Sequence, residues 1–98
     1  MRVETRPENR AAFVWSRVVP PPGRGGALLE RAEWLTPYTA AAIADDALHA
    51  GRGARLEMTV ARDVTDSAVG RLRREFAWLG ARGVEVSVSR RGQAAGFR

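Results

Sequence analysis

Residues 55–91 constrain the fold of this chain most, because their pattern changes from strand to helix and back with few residues between. Apolar and polar residues alternate at both ends of this stretch, which is typical of strands that bury one face. The apolar positions are Leu56, Met58 and Val60 in the first strand and Val84, Val86 and Val88 in the second. The stretch therefore predicts a β-α-β unit in a sheet with one covered face and one open face.

The helix between these strands is predicted from a cap, an apolar stripe and a glycine stop. Thr65 or Asp66 can accept a hydrogen bond from an unpaired N–H group at the helix start. Gly80 and Gly83 suit the left-handed conformation in which many helices end. The apolar stripe has helical spacing and consists of Val69, Leu72, Phe76 and Leu79.

The preceding part of the chain predicts two more strands. Residues 11–19 are β-branched and aromatic, as in many strands. Residues 27–35 contain good helix formers, but we interpret them as a strand because they are few and lie between a turn and a helix cap. Residues 20–26, rich in proline and glycine, break regular structure and would join the two strands as antiparallel neighbours.

A further helix is predicted to begin at Thr36 and Pro37, which suit the N-cap and the first helical position. It would reach Ala50 and stop at Gly51. Its apolar stripe is narrow, which suits close packing on a sheet, and consists of Ala40, Ile43, Ala44 and Ala47. The predicted fold class is therefore a two-layer α+β domain of order β-β-α-β-α-β. Its mixed sheet would carry both helices on one face.

The chain of 98 residues is long enough for one domain. We expect a loose lead-in at residues 1–10, a single domain at residues 11–91 and a tail at residues 92–98. The absence of cysteine excludes disulfides and thiolate metal sites. We find no apolar run of the ~20 residues that span a bilayer and no signal-peptide core, so we expect a cytoplasmic protein without membrane insertion.

All 16 basic residues are arginine, and the formal net charge is +5. This charge favours an acidic partner, such as a nucleic acid, an acidic protein surface or anionic lipid. The same charge is equally explained by solubility alone. Arginine additionally favours planar, bidentate contacts.

Asp45 and His49 lie one helical turn apart, with Tyr38 and Asp46 expected nearby on the same helix face. A carboxylate that orients an imidazole is a common acid–base arrangement in enzymes. Neither a nucleophile nor an established metal-ligand spacing accompanies this pair. We therefore favour a solvated helix face and expect no enzymatic activity, no cofactor and no metal.

Trp78 is the first candidate for partner binding. It is predicted to lie away from the apolar stripe of its helix, on a basic face with Arg71, Arg74 and Arg82. A large aromatic side chain among arginines can anchor a protein partner. Coverage of Trp78 by another segment of the chain is equally compatible with the sequence.

The open face of the sheet is the second candidate. It would carry Phe13, Trp15, Arg17 and Arg55 together with Glu57, Thr59, Glu85 and Ser87. Aromatic and arginine side chains on a sheet can stack nucleic-acid bases. The glutamates would repel phosphate, so a dimer interface or coverage by the N-terminal segment is at least as well supported.

Residues 35–90 resemble the STAS domain of anti-sigma factor antagonists and sulfate transporters. Asp66-Ser67-Ala68-Val69-Gly70 is similar to the family's Asp-Ser-(Ser/Ala)-Gly-Leu motif at a helix entrance, although here a valine precedes the glycine. The family's central-strand aspartate and its last helix have no counterpart. In the antagonists the serine after the aspartate is the phosphorylated switch. The resemblance therefore implies a switch at Ser67, beside Asp66 and Asp63, while a plain helix-start serine is the simpler interpretation.

These features favour a small cytoplasmic module that binds another protein, with STAS-like regulation as its finer form. The alternative is a nucleic-acid or ribonucleoprotein-binding protein that uses its arginines and aromatic sheet face. Homo-oligomer formation is compatible with both functions.

Overall fold

The computed structural model describes residues 12–92 of the chain. The strands are β1 (Phe13–Val19), β2 (Leu29–Trp34), β3 (Arg55–Val60) and β4 (Glu85–Arg90), and the helices are α1 (Pro37–Ala50) and α2 (Asp66–Phe76). The order β-β-α-β-α-β and the α+β class agree with the prediction. The predicted lead-in, residue 11 and residues 93–98 of the predicted tail lie outside the described residues. No helix within residues 12–92 is long and apolar enough to cross a membrane.

The four strands form one mixed sheet in the order β2-β1-β3-β4. β1 runs antiparallel to both of its neighbours, β2 and β3, whereas β3 and β4 are parallel. The proline- and glycine-rich turn joins β1 to β2 as predicted, and α2 joins the parallel pair. Within the described residues, β2 and β4 are therefore the two edges of the sheet.

Both helices cover the same face of the sheet, and the core lies between the two layers. The core consists of Val14, Val18, Leu56, Met58, Val60, Val84 and Val88 from the sheet side and Ala40, Ile43, Ala44, Ala47, Val69, Leu72, Phe76 and Leu79 from the helix side. On the opposite face, Glu57 is half-buried and Glu85 is exposed. The one-sided coverage predicted from the alternating strands is confirmed.

α1 has a reciprocal N-terminal cap. The Thr36 hydroxyl accepts a hydrogen bond from the Thr39 N–H, and the Thr39 hydroxyl accepts one from the Thr36 N–H. Pro37 occupies the first helical turn, where an N–H group has no helical partner. The Gly51 N–H donates to the Ala47 carbonyl at the other end, and the φ of Gly51 is 98°. Both predicted ends of this helix are confirmed.

α2 begins as predicted but ends earlier. The Thr65 hydroxyl accepts a hydrogen bond from the Ala68 N–H, so Thr65 is the residue that caps the helix. The α-helix ends at Phe76, and Ala77–Arg82 forms a 3₁₀ helix, so the prediction of an α-helix through Leu79 was wrong. In a 3₁₀ helix, side chains three residues apart align. Leu79 lies three residues after Phe76 and is buried in the same core.

Candidate interaction surfaces

An aromatic cluster lies on the open face of the sheet, near its β2 edge. The Phe13 ring packs edge-on against Trp15 and Trp34, with ring centroids 5.1 and 5.2 Å apart, respectively. The guanidinium carbon of Arg91 lies 4.3 Å from the centre of the Trp15 ring, at a cation–π distance. Trp34 is 60% exposed. The cluster therefore presents a large apolar side chain to solvent on the face that the helices do not cover.

Strand register explains how this cluster forms. Phe13 lies opposite Trp34 across the β1–β2 pair, and Trp15 follows two residues later on the same face of β1. The sequence predicted Phe13 and Trp15 on this face but missed Trp34 and Arg91. The sequence of β2 alone does not show which residue of β1 lies opposite Trp34, so the contact with Phe13 could not be predicted.

The remaining open face is charged but largely self-neutralised. The Arg17 Nε atom lies 3.7 Å from a Glu30 carboxylate oxygen and 4.0 Å from one of Glu57. The Arg55 Nη2 atom lies 3.5 Å from Glu57, and Glu85 is opposite Arg55 in β4. Such exposed pairs add little to folding stability. They do offset the positive charge with which Arg17 and Arg55 would attract phosphate.

Trp78 lies at a groove that the sequence did not predict. It belongs to the 3₁₀ helix, in which residues four apart do not align, so the α-helical relation to Arg82 is lost. Trp78 is 47% exposed and lines a groove between α1 and the end of α2. The other residues that line this groove are Pro37, Ala40, Ala41, Ala44, Glu75 and Phe76. Arg71, Arg74 and Arg82 are exposed, but none of them lines the groove with Trp78.

Ser67 lies in the first turn of α2, after the end of β3, and its side chain is exposed. Asp66, beside it, forms an ion pair with Arg90 of β4. The Arg90 guanidinium also donates to the Val64 carbonyl at 3.1 and 3.2 Å, which ties the start of α2 to the sheet. Asp63 is exposed in the preceding turn. Ser67 is therefore open to solvent at the start of α2.

Asp45 and His49 form an exposed pair on α1. The His49 Nδ1 atom lies 2.9 Å from the Asp45 carbonyl oxygen and 3.5 Å from its carboxylate. The hydrogen bond to this carbonyl, followed by the charge of Asp45, raises the pKa of His49 above its ordinary value. Asp46 instead accepts a hydrogen bond from Arg31 of β2 at 2.8 Å, and Tyr38 is exposed. This arrangement has the character of a solvated helix face.

Within residues 12–92, no group of three or more histidine or acidic side chains is arranged to hold a metal ion.

Comparisons of the chain with protein-family models, with curated proteins and with solved structures found no match. The resemblance to STAS domains therefore stays a prediction from the sequence.

Proposed function

We propose that this protein is a small interaction module that binds another protein through the open face of its sheet. The observation that carries the proposal is the cluster of Phe13, Trp15 and Trp34, of which Trp34 is exposed, beside paired arginines and glutamates. Tryptophan and arginine are enriched among the residues that dominate binding at protein interfaces. The partner surface that fits this face is apolar at its centre and carries both charge signs at its rim.

Nucleic-acid binding is the second candidate function. The contact of Arg91 with Trp15 and the net charge of +5 favour it, because arginine and aromatic rings stack on bases. Phosphate contacts need available cations, yet Arg17 and Arg55 lie against the carboxylates of Glu30 and Glu57. A protein partner is therefore the better-supported proposal.

Trp34→Ala is expected to weaken binding to the protein partner by roughly 30-fold, about 2 kcal/mol, as for other central aromatic anchors. Trp78→Ala is the matched control, since it removes the same side chain from the groove beside α1 and should change affinity by less than about twofold. The partner would first be captured from nuclease-treated extract on the immobilised chain and identified by mass spectrometry. The purified partner would then be titrated with each variant by calorimetry.

Equal losses in the two tryptophan variants would contradict binding through the open face. Titration at several salt concentrations separates the two functions, because phosphate contacts give a steep slope of log affinity against log salt. A shallow slope is expected for the protein partner. Tight, Trp34-dependent binding of a mixed-sequence single-stranded RNA with a steep slope would favour the second function.

A STAS-like switch at Ser67 is the finer form of this proposal. Its support is the exposed position of Ser67 and the resemblance of the Asp66–Ser67 sequence to the family motif. Val14 lies opposite Val60, the last residue of β3, and Phe13 lies one residue further along. The aromatic cluster is therefore at the end of the sheet where the chain leaves β3 for α2. Ser67 lies in α2, which packs on the other face of the sheet, so an added charge would act on the proposed interface from this end of the sheet.

Ser67→Asp is expected to weaken partner binding at least about tenfold, whereas Ser67→Ala should preserve it. A new carboxylate beside Asp63 and Asp66 adds like charge to a surface that must lose water on binding. Melting curves should show little change, since a negative charge is favoured at a helix N-terminus. Unchanged affinity in a folded Ser67→Asp variant would rule out the switch and leave the binding proposal intact.

A further inference from the structure

β2 is an edge of the described sheet, and the helices leave it poorly covered. Val18 of β1 is 3% exposed, yet Leu29, its neighbour in β2 on the same face, is 42% exposed. Leu28 and Trp34 are also exposed, so three of the five exposed large apolar residues of the described chain lie in or next to β2. An edge strand with exposed apolar side chains is a surface on which a further strand can pair.

The hydrogen bonds to β1 show which backbone groups of β2 point away from the sheet. The Leu35 N–H donates to the Ala12 carbonyl at 2.7 Å. Because the direction of hydrogen bonding alternates along an antiparallel strand, the odd-numbered residues of β2 bond to β1. The residues whose backbone N–H and C=O groups point away from β1 are Glu30, Ala32 and Trp34. The Trp34 carbonyl already accepts a hydrogen bond from the Thr39 hydroxyl at 2.8 Å.

The side chains of β2 favour pairing with a second copy in one register. An antiparallel pair with its two-fold axis at Ala32 places Arg31 of each copy opposite Glu33 of the other. The same register places Leu29 opposite Leu35. A shift by two residues in either direction would oppose Arg31 to Arg31 or Glu33 to Glu33, and such like-charge pairs are destabilising.

Glu33 is incompletely satisfied within its own chain. Its Oε2 atom is buried without a hydrogen bond and lies 3.6 Å from the Arg31 Nη1 atom. The Arg31 Nε atom donates to Asp46 of α1 at 2.8 Å, which holds the guanidinium at the sheet edge. The Glu33 side chain is 24% exposed, and the Arg31 side chain is 36% exposed. Both side chains are therefore partly exposed at the sheet edge, and the Glu33 carboxylate would reach the Arg31 of an incoming strand by a change of side-chain conformation.

We propose that the chain forms a homodimer in which two β2 strands pair antiparallel about Ala32 and join two four-stranded sheets into one. A second copy is the occupant because its own sequence supplies both Arg31–Glu33 pairs and both Leu29–Leu35 contacts. This interface uses the edge of the sheet and leaves the open face accessible. Its test needs no partner protein and so does not rest on the function proposed for that face, although Trp34 belongs to both surfaces.

Single cysteine variants test this register directly, because the chain contains no other cysteine. The two Ala32 residues would form a hydrogen-bonded pair with Cα atoms about 5.5 Å apart, within the span of a disulfide. Ala32→Cys is expected to convert most of the full-length chain to a linked dimer under mild oxidation. Glu30→Cys is the control on the same strand and face. Its two copies would lie about 14 Å apart and stay unlinked on non-reducing gels.

Charge reversal supplies a second test, read by sedimentation velocity of the full-length chain. The unmodified chain is expected to be a dimer at micromolar concentration. Arg31→Glu and Glu33→Arg should each raise the dissociation constant at least about tenfold. An equimolar mixture of these two variants should recover the dimer, because every cross-strand pair is then oppositely charged. A monomeric unmodified chain, equal cross-linking at residues 30 and 32, or a mixture of folded variants that stays monomeric would each overturn the proposal.

Discussion

Replacement of Phe76 by alanine is expected to lower the free energy of unfolding by about 3–5 kcal/mol, the range for loss of a large aromatic side chain from a core. Phe76 is the largest fully buried side chain of the described residues and is 1% exposed. It is the last residue of α2, and it packs in the core that the two helices form with the sheet. Its removal would leave a cavity at the centre of these contacts, where neighbouring elements can close in only partly.

Trp78→Ala is the matched control for Phe76→Ala. It removes an even larger side chain two residues further on, but Trp78 is 47% exposed, so the expected loss is at most about 2 kcal/mol. Denaturant titrations of both variants, with the m-value checked for constancy, measure the difference. Equal losses of stability would mean that the contacts of Trp78 in the groove between α1 and the end of α2 contribute as much as those of Phe76 in the core.

Ala47→Leu is expected to destabilise the fold by about 1–3 kcal/mol through overpacking. Ala47 is 0% exposed and belongs to the small-residue stripe with which α1 packs on the sheet. A leucine would need three more heavy atoms in that contact, so either α1 or the sheet would have to shift. For a domain of this size, each 1 kcal/mol lowers the melting temperature by roughly 4–8 °C, which is measurable by circular dichroism.

Ala41→Leu is the control for this effect, because Ala41 lies on α1 but is exposed. Its expected change in stability is within about 0.5 kcal/mol, as for other surface substitutions. If both leucine variants melted together, close packing of α1 on the sheet would be contradicted. Helix propensity does not distinguish the two sites, since each replaces alanine with leucine in the interior of the same helix.

The open face and the proposed dimer interface both include β2, but separate experiments test the two proposals. In the proposed dimer, Trp34 of one copy lies opposite Glu30 of the other, so the two aromatic clusters share one open face. Sedimentation of the chain alone tests the dimer without any partner. Titration of the partner with Trp34→Ala tests the open face, and the disulfide-linked Ala32→Cys dimer shows whether binding requires two copies.

Local interactions made the secondary structure predictable from the sequence. The Thr36–Pro37 start of α1 and its end at Gly51 depend on groups within a few residues of one another, so their signals are contiguous in the chain. The alternation in β3 likewise identified its buried face, because side-chain direction in a strand depends only on position along it. Cap and alternation together predicted the element order and the one-sided sheet.

The tertiary structure alone decided which distant residues meet. The contact of Phe13 with Trp34 requires β1 to pair with β2 in one register, and the contact of Arg91 with Trp15 requires β3 and β4 to follow beyond β1. The structure also shows that α2 ends at Phe76 and that Leu79 stays in the core within the 3₁₀ helix that follows. Strand order and register depend on burial and hydrogen bonding summed over the whole sheet. A short segment of the sequence does not determine strand order or register. For this reason the contacts of Trp34 and Arg91 were not predicted.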